Sequence, residues 1–166
     1  MNLLCEALPS FRYVFPSYDW DDAWLVNQII NMPKIVGREY LGFVKGVPAE
    51  EGLTDPNEIK RWIDRKMDGC TCLILFVGER TYTSDWVRYE LELARNRNMG
   101  RFILSLQGMT RRDQTICRGG PDPYSYHGMY SSSGKGYVIK QYNWITDNGQ
   151  QNIRSWTQDA CLRAGK

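Results

Sequence analysis

The chain has 166 residues and a formal net charge of +2, with 42% hydrophobic and 24% charged residues. That length suits one domain with a substantial core. The charge is too small for a nucleic-acid partner, and the basic residues do not gather: Arg95, Arg97 and Arg101 sit among neutral neighbours, and Arg111-Arg112 is a short pair.

Residues 11–15 read as a first strand that stops at Pro16. Residues 19–32 read as a helix, with Asp19, Asp21 and Asp22 near its positive end and Pro33 as its stop. A short strand over 40–44 and a loop over 46–54 follow. Asp55-Pro56-Asn57-Glu58 is a helix start: Asp55 caps, Pro56 takes the first helical position and Glu58 completes a capping box. Ile59, Trp62, Ile63 and Met67 continue at helical spacing until Gly69. Residues 71–77 form an apolar run bounded by glycines, as in a central strand covered on both faces. Thr83 or Ser84 can cap a third helix running to about Asn98, with Gly100 as its stop. Residues 101–106 are the next strand. This alternation predicts an α/β fold, a central parallel sheet with helices on both faces.

Beyond that point the character changes. Gly119-Gly120-Pro121-Asp122-Pro123 reads as a rigid loop. Residues 136–145 alternate like a strand with Val138, Tyr142 and Trp144 on one side. Asp147-Asn148-Gly149 is a turn, and Ile153, Trp156, Thr157 and Ala160 make an amphipathic helix. One domain is expected over 1–166, with a core over about 10–109 and a C-terminal extension over about 110–166 packed on the same core.

The cysteines are Cys5, Cys70, Cys72, Cys117 and Cys161. The count is odd, no pair has zinc-knuckle spacing, and His127 is the one imidazole, so no metal site is expected. Cys70 and Cys72 are separated by one residue within a strand-like run, so both side chains are expected on the same face. Reduced thiols in a cytoplasmic protein fit this pattern. MNLLCEALP lacks the basic and long apolar regions of a signal peptide. The longest apolar run, Cys72 to Val77, is far shorter than the about 20 residues of a membrane-spanning helix.

Two places invite chemistry. In a parallel α/β sheet, ligands bind beyond the carboxyl ends of the strands. The corner from Pro16 to Trp20 lies at such an end and enters a helix, whose N–H groups and dipole can hold an anion such as a pyrophosphate. Neither G-x-G-x-x-G nor a Walker sequence is present. Ser17 or Asp19 can equally be a plain cap, and Tyr18 and Trp20 core or lid residues. The second place is SDWVRYELELARNRN. On a wheel turning about 100° per residue, Trp86, Val87, Leu91, Leu93 and Ala94 define an apolar arc, and Glu90 falls near its middle. Burying a carboxylate unpaired costs several kcal/mol, roughly. It must find donors, take up a proton or line a cleft. Either a functional carboxylate or one satisfied by a buried Arg or backbone N–H groups fits the wheel. Glu92, on the solvent side of the same helix, carries no functional reading.

RYVFPSYDWDD and TCLILFVGERTYTSDWVRYELELA together resemble a TIR domain. The first stretch is similar to the strand-one motif of that family. The second is similar to its central strand and the helix whose W-V-x-x-E segment carries the catalytic glutamate of TIR NAD hydrolases. Glu90 falls on that glutamate. DDAWLVNQI, CTCLILFVGERTYTSDWVRYEL, GPDPYSYHGMYSSSGKG and YVIKQYNWITDNGQQNIRSW resemble the ThsB-type TIR-like proteins of Thoeris antiphage defence. The likeness is weakest from about residue 33 to 54, where the loop after strand two helps form the family's substrate pocket.

The resemblance implies a flavodoxin-like, TIR-like three-layer fold and NAD⁺ as substrate, with no cofactor. Cleavage of the nicotinamide–ribose bond would leave an ADP-ribosyl group that yields a cyclic ADP-ribose-type signal for a separate effector protein. Glu90 is implied as the catalytic residue, with Phe15, Ser17, Tyr18, Asp19, Trp20, Trp86 and Tyr89 as substrate contacts. Each of these aromatics has core packing as its alternative, and His127 fits a surface or packing role. The GPDPYSYHG loop either covers the cleft or ties down the tail. Partners implied are the effector, reached through the nucleotide, and a homo-oligomer through TIR contacts, with no nucleic acid and no membrane. A non-catalytic scaffold that assembles with other TIR or effector proteins is the rival from another class. A flavin or nucleotide binder of the same topology is the third reading, against which the W-V-x-x-E segment speaks.

Overall fold

A computed structural model describes residues 11–38, 40–131 and 136–166. MNLLCEALP, read above for a leader, and Cys5 lie outside the described residues. The elements in chain order are β1 (Arg12–Ser17), a 3-10 turn (Trp20–Asp22), α1 (Ala23–Ile30), β2 (Leu41–Phe43), a 3-10 turn (Pro48–Glu51), α2 (Pro56–Met67) and β3 (Cys72–Val77). Then come a 3-10 turn (Thr81–Thr83), α3 (Asp85–Asn96), β4 (Gly100–Ser105), the one-turn α4 (Pro123–Tyr126), β5 (Lys140–Asn143) and α5 (Gly149–Arg163). The five strands pair in the order β2-β1-β3-β4-β5, all parallel. This is the flavodoxin-like α/β arrangement, with the order reversing between β1 and β3.

Strand parity divides the core in two. Val14, Cys72, Ile74, Phe76, Phe102 and Leu104 face α1 and α5, whose Leu25, Val26, Ile29, Ile153 and Ala160 cover them. Phe15, Leu73, Leu75, Val77 and Ile103 face α2 and α3, packing on Trp62, Ile63, Met67, Val87, Leu91 and Ala94. Every residue of β3 is buried, which is why its sequence is uniformly apolar rather than alternating. Asp55 caps α2 by accepting from Asn57 N and Glu58 N, and Ser84 caps α3 by accepting from Val87 N. The stretch after Arg111 adds β5 beside β4 and lays α5 on the first core face. There Tyr142 stacks on Trp156 at 4.0 Å.

The structure differs from the expected boundaries in three instructive ways. First, β1 does not stop at Pro16. Tyr13 O accepts from Thr71 N and Val14 O accepts from Val44 N, each at 3.0 Å, so successive residues bond alternately to the β3 and β2 sides. Pro16 shares the parity of Val14, and β2 pairing ends at Val14 opposite Phe43. The missing N–H therefore points past the end of β2, while Ser17 still pairs with Leu75. Second, Gly100 is not a helix stop. It starts β4 because α5 crosses there: a Cβ would lie 2.7 Å from the Ala160 carbonyl carbon. The chain leaves α3 through Asn98, with φ of +50°. Third, Cys70 and Cys72 do not share a face. The strand begins only at Cys72, which packs toward α1 and α5, whereas Cys70 lies against the α2–α3 side.

The four described cysteines are free thiols. Among the described residues no helix is long and apolar enough to cross a membrane.

Candidate functional site

Beyond the carboxyl ends of β1 and β2 lies a cavity of about 350 Å³, within the size range of small-molecule sites. One wall comes from β1 and its corner: Phe15, Pro16, Tyr18, Asp19 and Trp20. A second comes from the start of α3: Ser84, Trp86 and Glu90. The third comes from the stretch between Val44 and Leu53 together with Ile59, Trp62 and Ile63 of α2.

Glu90 is where the wheel put it, on the α3 face that buries Val87, Leu91 and Ala94. Its carboxylate looks into the cavity. Because Ser17 is in strand and shares the parity of Phe15, its buried hydroxyl faces α3 and donates to Glu90 Oε2 at 2.5 Å. Among the described residues no lysine, arginine or histidine lines the cavity. Burial therefore dominates, and it pushes the Glu90 carboxyl up to about 8, with the Ser17 hydrogen bond pulling the other way. At neutral pH the free site holds Glu90 mostly protonated. Tyr18 is raised as well, first by burial, then by the charges of Glu90 and Glu50. Glu92 points away and pairs with Arg88 at 3.2 Å.

The other sequence-predicted residues divide clearly. Phe15, Tyr18, Asp19, Trp20 and Trp86 line the cavity, and Trp20 is the most exposed of them. Ser17 reaches it through Glu90. Tyr89 does not line it: one residue round the helix, its hydroxyl donates to Asp64 Oδ2 at 3.0 Å and its ring meets Trp86 edge to face. His127 is also away from the cavity, its ring against Tyr126. The GPDPYSYHG loop forms α4, which buries Tyr124 in the α2–α3 core and sets Tyr126 against Tyr82 at 4.9 Å, and lines no part of the cavity.

The anion role considered for the corner does not fit. Asp19 spends its own acceptors on the turn, Oδ1 on Asp21 N at 3.0 Å and its carbonyl on Asp22 N at 2.9 Å. The first N–H groups of the turn are thus already taken by Asp19, while Asp21 and Asp22 are themselves paired with Arg80 at 3.7 Å and Arg111 at 2.9 Å.

Sequence reasoning missed the part of the third wall that α2 supplies. Trp62 and Ile63 carry a normal core periodicity, and nothing in that spacing marks them as cavity residues too. The Gly46–Ala49 stretch falls within the region that the family likeness tied to the substrate pocket, though no residue in it was singled out.

A family model for the Thoeris protein ThsB, TIR-like domain, matches residues 15–111. That span covers more than half of the chain and every residue lining the cavity. It ends at Arg111, so β5, α5 and the likeness read in the tail lie outside it. No curated protein matches the chain. With the strand order, the Glu90-bearing helix and this match together, the chain belongs to the Thoeris ThsB family of TIR-like domains, an antiphage-defence family.

Proposed function

We propose that this chain cleaves NAD⁺ at the nicotinamide–ribose bond and releases a cyclic ADP-ribose-type product that signals to a separate effector. The observation that carries this reading is Glu90: a carboxylate held by Ser17 on the wall of a largely apolar, aromatic-rich cavity, within the family-matched span.

The chemistry needs little proton transfer. Nicotinamide in NAD⁺ is already cationic. When the C1′–N1 bond breaks, its electron pair leaves with the ring, which departs neutral, and positive charge appears on the ribose. A carboxylate beside that carbon stabilises the charge and can hold ribose hydroxyls. Arrival of the pyridinium charge beside Glu90 favours its ionised form, so substrate binding expels the proton that burial had retained. Ser17 keeps one oxygen oriented while the other stays free. Apolar walls from Phe15, Val44, Leu53 and Trp62 limit water access, which favours capture of the ribosyl carbon by a nucleophile of the same molecule over hydrolysis.

Mass spectrometry of products from NAD⁺, comparing wild type with Glu90→Gln, tests this directly. Nicotinamide plus a cyclic product from wild type alone is the expected result. Absence of nicotinamide release from wild type, assembled or not, would leave a binding module in place of an enzyme.

A further inference from the structure

Behind the cavity a second polar cluster joins two of its walls. Asp22, at the end of the turn that carries Trp20, is buried. Its Oδ1 accepts from Arg111 Nη2 at 2.9 Å and its Oδ2 accepts from Thr81 Oγ1 at 3.4 Å. Arg111 Nη1 also donates to the Asp21 carbonyl at 3.3 Å. Thr81 Oγ1 in turn accepts from Gly78 N at 2.8 Å. Gly78 lies directly against the Asp22 carboxylate, and any Cβ there would overlap its oxygens. Arg111 is held by its own hairpin: its N–H donates to Thr115 O at 2.7 Å, Thr110 bridges Ile116, and Cys117 N donates to Met109 O at 2.8 Å.

None of Asp22, Thr81 or Arg111 lines the cavity, yet each anchors something that does. Asp22 closes the turn that presents Asp19 and Trp20. Thr81 opens the short helix leading to Ser84, the cap of the helix bearing Trp86 and Glu90. Arg111 brings the segment after β4 onto both. A buried ion pair is poor evidence for stability, since apolar replacements are often neutral or better. What this pair supplies is fixed geometry between two chain segments 89 residues apart.

We propose that Asp22 and Arg111 are positioning residues, holding the Tyr18–Trp20 corner against the start of α3 and so setting the cavity for its substrate. The kinetic part of this proposal rests on the NAD⁺ reading of the site; the mechanical part does not.

The test is the paired variant Asp22→Asn/Arg111→Gln, which removes both charges and leaves neither buried alone, beside Arg111→Lys, which keeps charge but cannot make both of the guanidinium's bonds. In the folded paired variant, deuterium uptake at the amides of residues 17–23 should rise about tenfold or more while β3 stays protected. KM for NAD⁺ should rise about tenfold with kcat changed by less than about threefold, and Arg111→Lys should fall between. Unchanged uptake at 17–23 in both variants overturns the proposal. Faster uptake with an unchanged KM overturns its link to substrate. A wild type that leaves NAD⁺ intact defeats the functional reading instead, and the uptake measurement then decides the mechanical claim by itself.

Discussion

Replacing Glu90 by Gln should make the protein more stable, and increasingly so as pH rises. The carboxyl sits in an apolar wall with Ser17 as its hydrogen-bond donor, and burial lifts it from an ordinary 4.5 to about 8. Below pH 4.5 folded and unfolded forms are both protonated, and Glu90 costs nothing relative to Gln. Between 4.5 and 8 the unfolded chain loses its proton while the folded one keeps it, so stability falls. Above 8 both are ionised and the loss levels off. At 1.36 kcal/mol per pH unit the full penalty is about 5 kcal/mol. From pH 5 to pH 8 it grows by roughly 3–4 kcal/mol, which for a domain of this size moves Tm by about 7–14 °C. Gln is nearly isosteric and its carbonyl can still accept from Ser17, so packing and the hydrogen bond carry over. The assay is thermal unfolding of both proteins at pH 5, 6, 7 and 8. A Tm difference that stays flat across that range would mean that Glu90 titrates as an ordinary surface carboxylate, and the reasoning from burial fails.

The same carboxyl should shape activity. Because catalysis needs the ionised form, kcat/KM for NAD⁺ should rise with pH through a midpoint near 8, the value for the free site, and level off above it, whereas the limb in kcat should lie lower because bound substrate brings positive charge; a limb near pH 4.5 in kcat/KM would contradict this. Ser17→Ala removes the bond that favours the carboxylate, so the kcat/KM limb should move to higher pH, at a stability cost of about 1 kcal/mol, both readable from one pH series and one melt. Tyr89→Phe loses only the bond to Asp64 on the outer side of α3, so it should lower stability by about 1 kcal/mol and leave KM and kcat unchanged; a raised KM would put Tyr89 in the site after all.

Much of this was legible in the chain. Local signals are read locally: Asp55 and Ser84 cap the helices they appear to cap, and the run from Cys72 to Val77 is central and buried on both faces. Glu90 stood out because a helix repeats every 3.6 residues whatever surrounds it, so an acid on the apolar arc shows as an anomaly. Tyr89, its neighbour, was misplaced because the family likeness marks a segment, not the direction of each side chain. Pro16 was misread because the cost of a proline depends on which neighbouring strand its nitrogen faces, and that partner is not adjacent in sequence.

The order of elements, the sheet class and the one carboxylate worth asking about were therefore set by residue type and spacing. Only the tertiary structure decided that Ser17 meets Glu90 across 73 residues, that Ile59, Trp62 and Ile63 of α2 help close the third wall, and that Arg111 reaches back to Asp22. The physical reason is that such meetings depend on strand register and on how helices seat against both faces of the sheet. Those are properties of the whole packed core, and no local pattern in the chain encodes them.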